Sequence, residues 1–142
     1  MKHIVKKINR VIFALILPFA AVSCIGDDDI NAIFKERDWK LTYIKEGSVQ
    51  RYTKEKIYSI EFLDRTFTAT TPSGATITGN WIANGDASRS FSCSNIRTSG
   101  NIKGDTIALK MREILTNAVS YSGDTNWLQI KQEEKVFMQF YN

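Results

Sequence analysis

Few side chains in this 142-residue chain are of a type that does chemistry, and their spacing narrows the options further. Glu61 with Asp64, and Glu133 with Glu134, are neighbouring carboxyls that invite a general acid and base reading. Glycoside hydrolysis needs its two carboxyls facing each other across a cleft at set separations, which sequence neighbours beside turns do not provide, so both pairs read as surface charge. Cys93 falls on a predicted strand, where a thiol packs as a small hydrophobe. Gly100-Asn101-Ile102-Lys103-Gly104 lacks the closing Lys-Ser/Thr of a phosphate-binding loop and reads as a connector. The one histidine is His3. No catalytic residue, metal-ligand set or cofactor motif emerges, and the chain reads as a non-enzyme.

The remaining chemistry belongs to Cys24. Lys2, Lys6, Lys7 and Arg10 precede an apolar run of 12 residues, Val11 to Val22. A basic head, a short apolar run and small residues at the exit form a secretory signal. A bilayer-spanning helix needs about 20 apolar residues, so a permanent transmembrane anchor is the weaker reading. Ala21-Val22-Ser23-Cys24 resembles the lipobox of bacterial lipoproteins. That resemblance implies diacylglycerol on the Cys24 thiol, cleavage before it, and a membrane partner through the lipid. An ordinary signal peptide with a chance cysteine is the alternative. Gly26-Asp27-Asp28-Asp29 resembles the acidic export tag of Bacteroidetes surface lipoproteins, which implies an outer-membrane protein at the cell surface. A periplasm-facing location, with the three acids as a solvated tether, stays open.

Removing such a signal changes the composition. The whole chain is formally +4, from 19 Lys and Arg against 15 Asp and Glu. Four of those bases and none of the acids lie before Cys24, which leaves 15 against 15. The neutral remainder has no basic cluster of the kind that binds nucleic acid. It has also lost His3, so Ser-His-Asp and Cys-His mechanisms and histidine metal sites are excluded. With Cys24 lipidated, Cys93 has no thiol to pair with.

The elements that follow are mostly strands. A short helix is expected over 30–37, with Ile30, Ile33 and Phe34 on one face. Alternation predicts strands at 38–44, with Trp39, Leu41 and Tyr43 together, then at 57–63, 66–70, 75–82, 90–93, 119–122, 127–131 and 135–141. Residues 49–56 read as a loop or a weak helical turn. Asn84-Gly85-Asp86 is the strongest hairpin signal. Ile107, Met111, Ile114, Leu115 and Ala118 recur at helical spacing, with Asp105 or Thr106 as cap. The fold class is mainly β (α+β): an antiparallel meander curled into a barrel or strongly twisted sheet, with one packed helix near 105–118. Three segments follow: a signal peptide over 1–23, the lipidated cysteine and acidic tether over 24–30, and a β-domain over 31–142.

Within that β-domain the chain resembles the META domain family of envelope proteins, which includes the heat-shock lipoprotein of enteric bacteria. The matching stretches are Trp39-Lys40-Leu41, Gly79-Asn80-Trp81, Gly85-Asp86, Ile96-Arg97-Thr98-Ser99, Leu115 with Val119 and Tyr121, Gly123-Asp124, Leu128-Gln129-Ile130 and Phe140. The family's Gly-Cys-Asn signature and its Met-x-Cys are missing. The resemblance implies a β-rich fold and an envelope role, and brings no catalytic residues. Asp105-Thr106-Ile107 also resembles a Bacteroidetes O-glycosylation site, which would make Thr106 a modification site; a helix cap explains the same residues. The expected function is a non-enzymatic envelope lipoprotein that binds a protein or supports stress tolerance. A lipocalin-like carrier of a small ligand or glycan is the alternative, as is a protease inhibitor presenting Pro72-Ser73-Gly74 or Gly123-Asp124-Thr125-Asn126. A filled interior fits the first and a hollow one fits the carrier.

Overall fold

The computed structural model describes residues 29–53 and 56–142. The expected signal peptide over 1–23, together with Cys24, Asp27 and Asp28, lies outside the described residues; Asp29 is helical and exposed. Residues 29–34 are helical (α1), and the chain then enters β1 (Asp38–Glu46) through Glu36, whose φ of 60° is the left-handed turn common at helix exits. There follow β2 (Val49–Tyr52), β3 (Ser59–Phe62), β4 (Thr66–Thr70), β5 (Thr76–Ala83), β6 (Phe91–Ser99), α2 (Thr106–Asn117), β7 (Ser120–Gly123), β8 (Trp127–Glu133) and β9 (Val136–Tyr141). All strand pairs of the sheet are antiparallel, in the order β6-β5-β4-β3-β1-β9-β8-β7, and β2 pairs with the far half of β1.

The sheet curls into a half-barrel. Its two end strands meet only at one bridge, Ser90 with Ser120, reinforced by Phe91 N–H to the Val119 carbonyl at 3.1 Å and Tyr121 N–H to the Arg89 carbonyl at 3.0 Å. α2 packs against β6, β8, β9 and β1. Its buried face is Ala108, Met111, Ile114 and Leu115, the 3.6-residue stripe read from the sequence. Asp105 is the cap and accepts the Ala108 N–H at 3.0 Å, while Thr106 is the exposed first residue of the helix.

α1 contributes the central side chain of the interior. Phe34 is fully buried, with ring centroids 4.9 Å from Trp81, 5.0 Å from Tyr121, 5.1 Å from Phe62 and 5.5 Å from Phe91. The edge-to-face pairs with Phe62 and Tyr121 set ring edges against ring faces, the arrangement the aromatic quadrupole favours. Each polar tip in this region is satisfied: Trp39 Nε1 donates to the Ile33 carbonyl at 3.0 Å, Trp81 Nε1 to Leu63 at 2.9 Å, and the Tyr121 hydroxyl to Asn84 at 3.0 Å. These rings belong to one continuous cluster of buried hydrophobic side chains that includes the α2 stripe.

Three sequence expectations change. β2 forms where a loop or helical turn is expected, because its four residues, all exposed, are held by pairing with β1 and bury no face of their own. β2 is thus a ninth strand beside the eight that alternation predicts, and β6 runs on to Ser99, beyond the expected end at Cys93. In β1, a register shift between Leu41 and Tyr43 places Trp39, Leu41 and Ile44 inside and turns Tyr43 outward, so Tyr43 does not share the Trp39 face. A second shift, between Thr78 and Asn80, brings Gly79 so close to its neighbours that a Cβ there would lie 2.8 Å from the Phe67 ring and 2.9 Å from the Ser94 carbonyl oxygen.

Phe34→Ala is expected to lower stability by about 3–5 kcal/mol, the range for deleting a buried phenylalanine. The measurement is chemical denaturation followed by tryptophan fluorescence. A change below about 1 kcal/mol would show that α1 does not seal the interior.

Candidate functional site

The half-barrel presents an aromatic outer face on β2, β1, β9 and β8. Strand alternation sends Met138 and Phe140 inward, both fully buried, and Gln139 and Tyr141 outward; Phe137 lies on their side but is itself buried, against Tyr43 and Lys45. Cross-strand pairing then arranges rows. Tyr52, Tyr43, Gln139 and Gln129 form one row across four strands. Lys40, Tyr141 and Trp127 form a second, and Lys45, Phe137 and Lys131 a third. The Tyr43 ring lies 5.5 Å from Tyr52 and 6.1 Å from Phe137, and the Lys45 ammonium sits 5.9 Å over the Phe137 ring. Gln129 Nε2 donates to Gln139 Oε1 at 2.7 Å, and the Tyr52 hydroxyl donates to Gln50 Oε1 at 2.6 Å.

Hydrogen bonds hold this face in shape. Asp124 Oδ1 accepts the N–H groups of Asn126 at 2.7 Å and Trp127 at 3.2 Å, closing the turn that sets Trp127 on its strand. The Thr125 carbonyl accepts from Arg37 Nη1 at 3.3 Å and from Asn142 Nδ2 at 3.2 Å, tying that turn to the α1–β1 junction and to the residue just past β9. At the other side, the Thr53 hydroxyl donates to the Leu41 carbonyl at 2.7 Å and fixes the end of β2 on β1. Tyr52, Tyr141 and Trp127 are nevertheless 55%, 48% and 39% exposed. Large aromatics that are both ordered and exposed lose little freedom on binding, which is why they dominate recognition surfaces.

A slot of about 420 Å³ opens on this face. Tyr52 and Ile57 line it with Tyr141, together with Lys40, Thr42 and Lys56. A larger open groove of about 960 Å³ lies beside α1, along Lys35, Asp64, Arg65, Trp81 and Ile82. Its one carboxylate is already engaged: Lys35 Nζ is 2.7 Å from Asp64 and holds that carboxyl below its ordinary range.

The residues singled out for chemistry are scattered. Glu61 is exposed on β3 and Asp64 is paired with Lys35, while Glu133 and Glu134 are exposed at the β8–β9 turn, Glu134 lying 4.0 Å from Lys131. Neither pair faces a second carboxyl across a cleft. Cys93 is half-buried, and burial pushes its thiol up to about 12. Burial, with the Asp105 carboxylate 2.8 Å away, raises the Tyr58 hydroxyl above its ordinary value. Among the described residues no group of three His, Cys, Asp or Glu could hold a metal ion. No local pattern joins Tyr52 and Lys40 with Tyr141, because β2 has no strand periodicity of its own.

A family model described as a domain of unknown function, DUF4847, matches residues 26–142. The chain belongs to the DUF4847 family. No curated protein matches it. A crystal structure of a DUF4847 family protein from Bacteroides vulgatus matches with a TM-score of 0.60 at 23% identity, covering 79% of this chain and 96% of that one. The likeness establishes a shared fold, and the DUF4847 half-barrel is thus the frame on which the aromatic face is built.

The raised thiol has a direct consequence. In the full chain with Cys24→Ala, Cys93 is expected to react with a disulfide reagent at pH 8 on the order of 10³-fold more slowly when folded than when denatured, since only the thiolate attacks. A folded rate within tenfold of the denatured one would show an activated cysteine.

Proposed function

We propose that this protein is a non-enzymatic, lipid-anchored envelope module that binds its partner on the outer aromatic face of β1, β2, β8 and β9. The observation behind this reading is the combination of an interior packed with aromatic rings and three exposed aromatics, Tyr52, Trp127 and Tyr141, on one side of the barrel. A lipocalin-like carrier needs an interior volume, which the Phe34 cluster occupies, so that alternative has less support. The inhibitor alternative draws on the ordered Asp124–Asn126 turn, which here serves Trp127.

Anchorage rests on Cys24 and on the short stretch that follows it. Five residue steps separate Cys24 from Asp29, where the described structure begins, and an extended chain spans at most about 3.6 Å per residue. A lipid on Cys24 would therefore hold the domain within about 18 Å of the bilayer surface. Asp27, Asp28 and Asp29 fit export to the cell surface, with the periplasmic side of the outer membrane as the other destination. Thr106, exposed at the start of α2, is accessible to the glycosylation its surrounding residues suggest. A distant META relationship is consistent with the structural duties of its matching residues, among them buried Trp39, Trp81 and Tyr121 and sterically confined Gly79.

Metabolic labelling with a clickable palmitate is expected to mark the native protein and not Cys24→Ala. Externally added protease is expected to digest it on intact cells. Absence of label on the native protein would remove the anchor, and protection from protease on intact cells would place it on the periplasmic side.

A further inference from the structure

We infer that the slot between Tyr52 and Tyr141 takes a carboxylated sugar unit, so that the ligand of the aromatic face is an acidic, uronate-type oligosaccharide; this rests on the binding role proposed above. Three observations converge. First, two half-exposed tyrosines line the slot, and flat rings stack against the C–H face of a pyranose ring much as they pack against other apolar planes. Second, Lys40 and Lys56 line the same slot. Among the described residues neither has a carboxylate within 4 Å. Two cations with no carboxylate beside them among the described residues, next to an aromatic slot, favour an anionic group on the ligand. Third, the face continues beyond the slot with groups suited to hydroxyls: the Gln139–Gln129 amide pair lies in the row of Tyr52 and Tyr43, and Trp127 lies beside Tyr141. With strands spaced about 4.8 Å apart, the four-strand row extends about 14 Å, enough for a short oligosaccharide to lie across it.

An acidic peptide fits less well. Extended peptides are commonly captured by adding a strand to a free sheet edge. The backbone beneath the slot is already engaged, with Leu41 N–H donating to the Tyr58 carbonyl at 2.8 Å and Thr53 N–H to the Thr42 carbonyl at 3.2 Å. β2, which pairs with β1 alone, keeps an outer edge that the polyglutamate arm below tests. What the slot offers is side chains: ring faces, hydroxyls and ammonium groups. Because both lysines are solvent-accessible, the charge contribution is screened by salt and selects the ligand more than it tightens it.

The test uses the full chain purified in detergent, titrated calorimetrically with oligogalacturonate, with the same oligomer fully methyl-esterified, and with polyglutamate. Oligogalacturonate is expected to bind at least tenfold more tightly than its ester. Lys40→Gln with Lys56→Gln is expected to erase that preference. Tyr52→Ala with Tyr141→Ala is expected to weaken both forms at least tenfold at an unchanged unfolding midpoint. Equal affinity for acid and ester, or polyglutamate binding that is indifferent to the tyrosines, would overturn the proposal. Deuterium-exchange protection of residues 49–53 and 136–141 separates it from the reading beneath it. Protection by the ester alone would overturn the acidic sugar and leave the binding face standing. Protection by none of the three probes would overturn the acidic sugar and count against the face as well.

Discussion

The half-barrel depends on its interior being occupied from both sides. β6 and β7 meet at a single bridge, so backbone hydrogen bonds do not close the sheet into a cylinder. Side-chain packing closes it instead. Phe34, delivered by α1, touches four aromatic rings that come from β3, β5, β6 and β7. α2, in the connection from β6 to β7, packs its four-residue apolar stripe against the strands on both sides of that junction. A curled sheet with an empty centre would lose dispersion contacts along every inward side chain. The two helices therefore determine whether the strands enclose a core or a cavity.

A single irregularity in β1 shapes the outer face. The shift between Leu41 and Tyr43 lets one strand send Trp39, Leu41 and Ile44 inward while turning Tyr43 toward Tyr52 and Phe137. A strictly alternating β1 would have placed Tyr43 in the core with Trp39. The same strand supplies Lys40 and Lys45 to the face, and the Thr53 hydroxyl clamps β2 onto it. Local hydrogen bonds fix the backbone turns and strand ends from which the exposed aromatics project.

Electrostatics divide the molecule in the same way. Where charges support the fold they are paired: Lys35 with Asp64 beside α1, and Glu46 with Lys110 at 3.0 Å, joining the end of β1 to α2. The Lys110 ammonium and the Arg51 guanidinium hold the Glu46 carboxyl below its ordinary range, and the Glu113 and Glu46 carboxylates raise Lys110. Exposed pairs of this kind contribute little each, so they set register more than stability. On the outer face the lysines of the slot stand without such partners among the described residues.

The amino-acid sequence by itself determined the strands with strong alternation, such as β4 with buried Phe67 and Ala69, and the α2 stripe of Met111, Ile114 and Leu115. It determined the turn chemistry and the composition left after a signal is removed, because these depend on residue type and local period alone. Tertiary structure decided the rest. β2 carries no periodic signal, and only pairing with β1 makes it a strand. Phe137 through Tyr141 is apolar on both faces, so register against β1 and β8 had to select which side looks inward. The slot joins Lys40, Tyr52 and Tyr141, residues up to a hundred positions apart. Their meeting is a property of strand order, which no local pattern encodes.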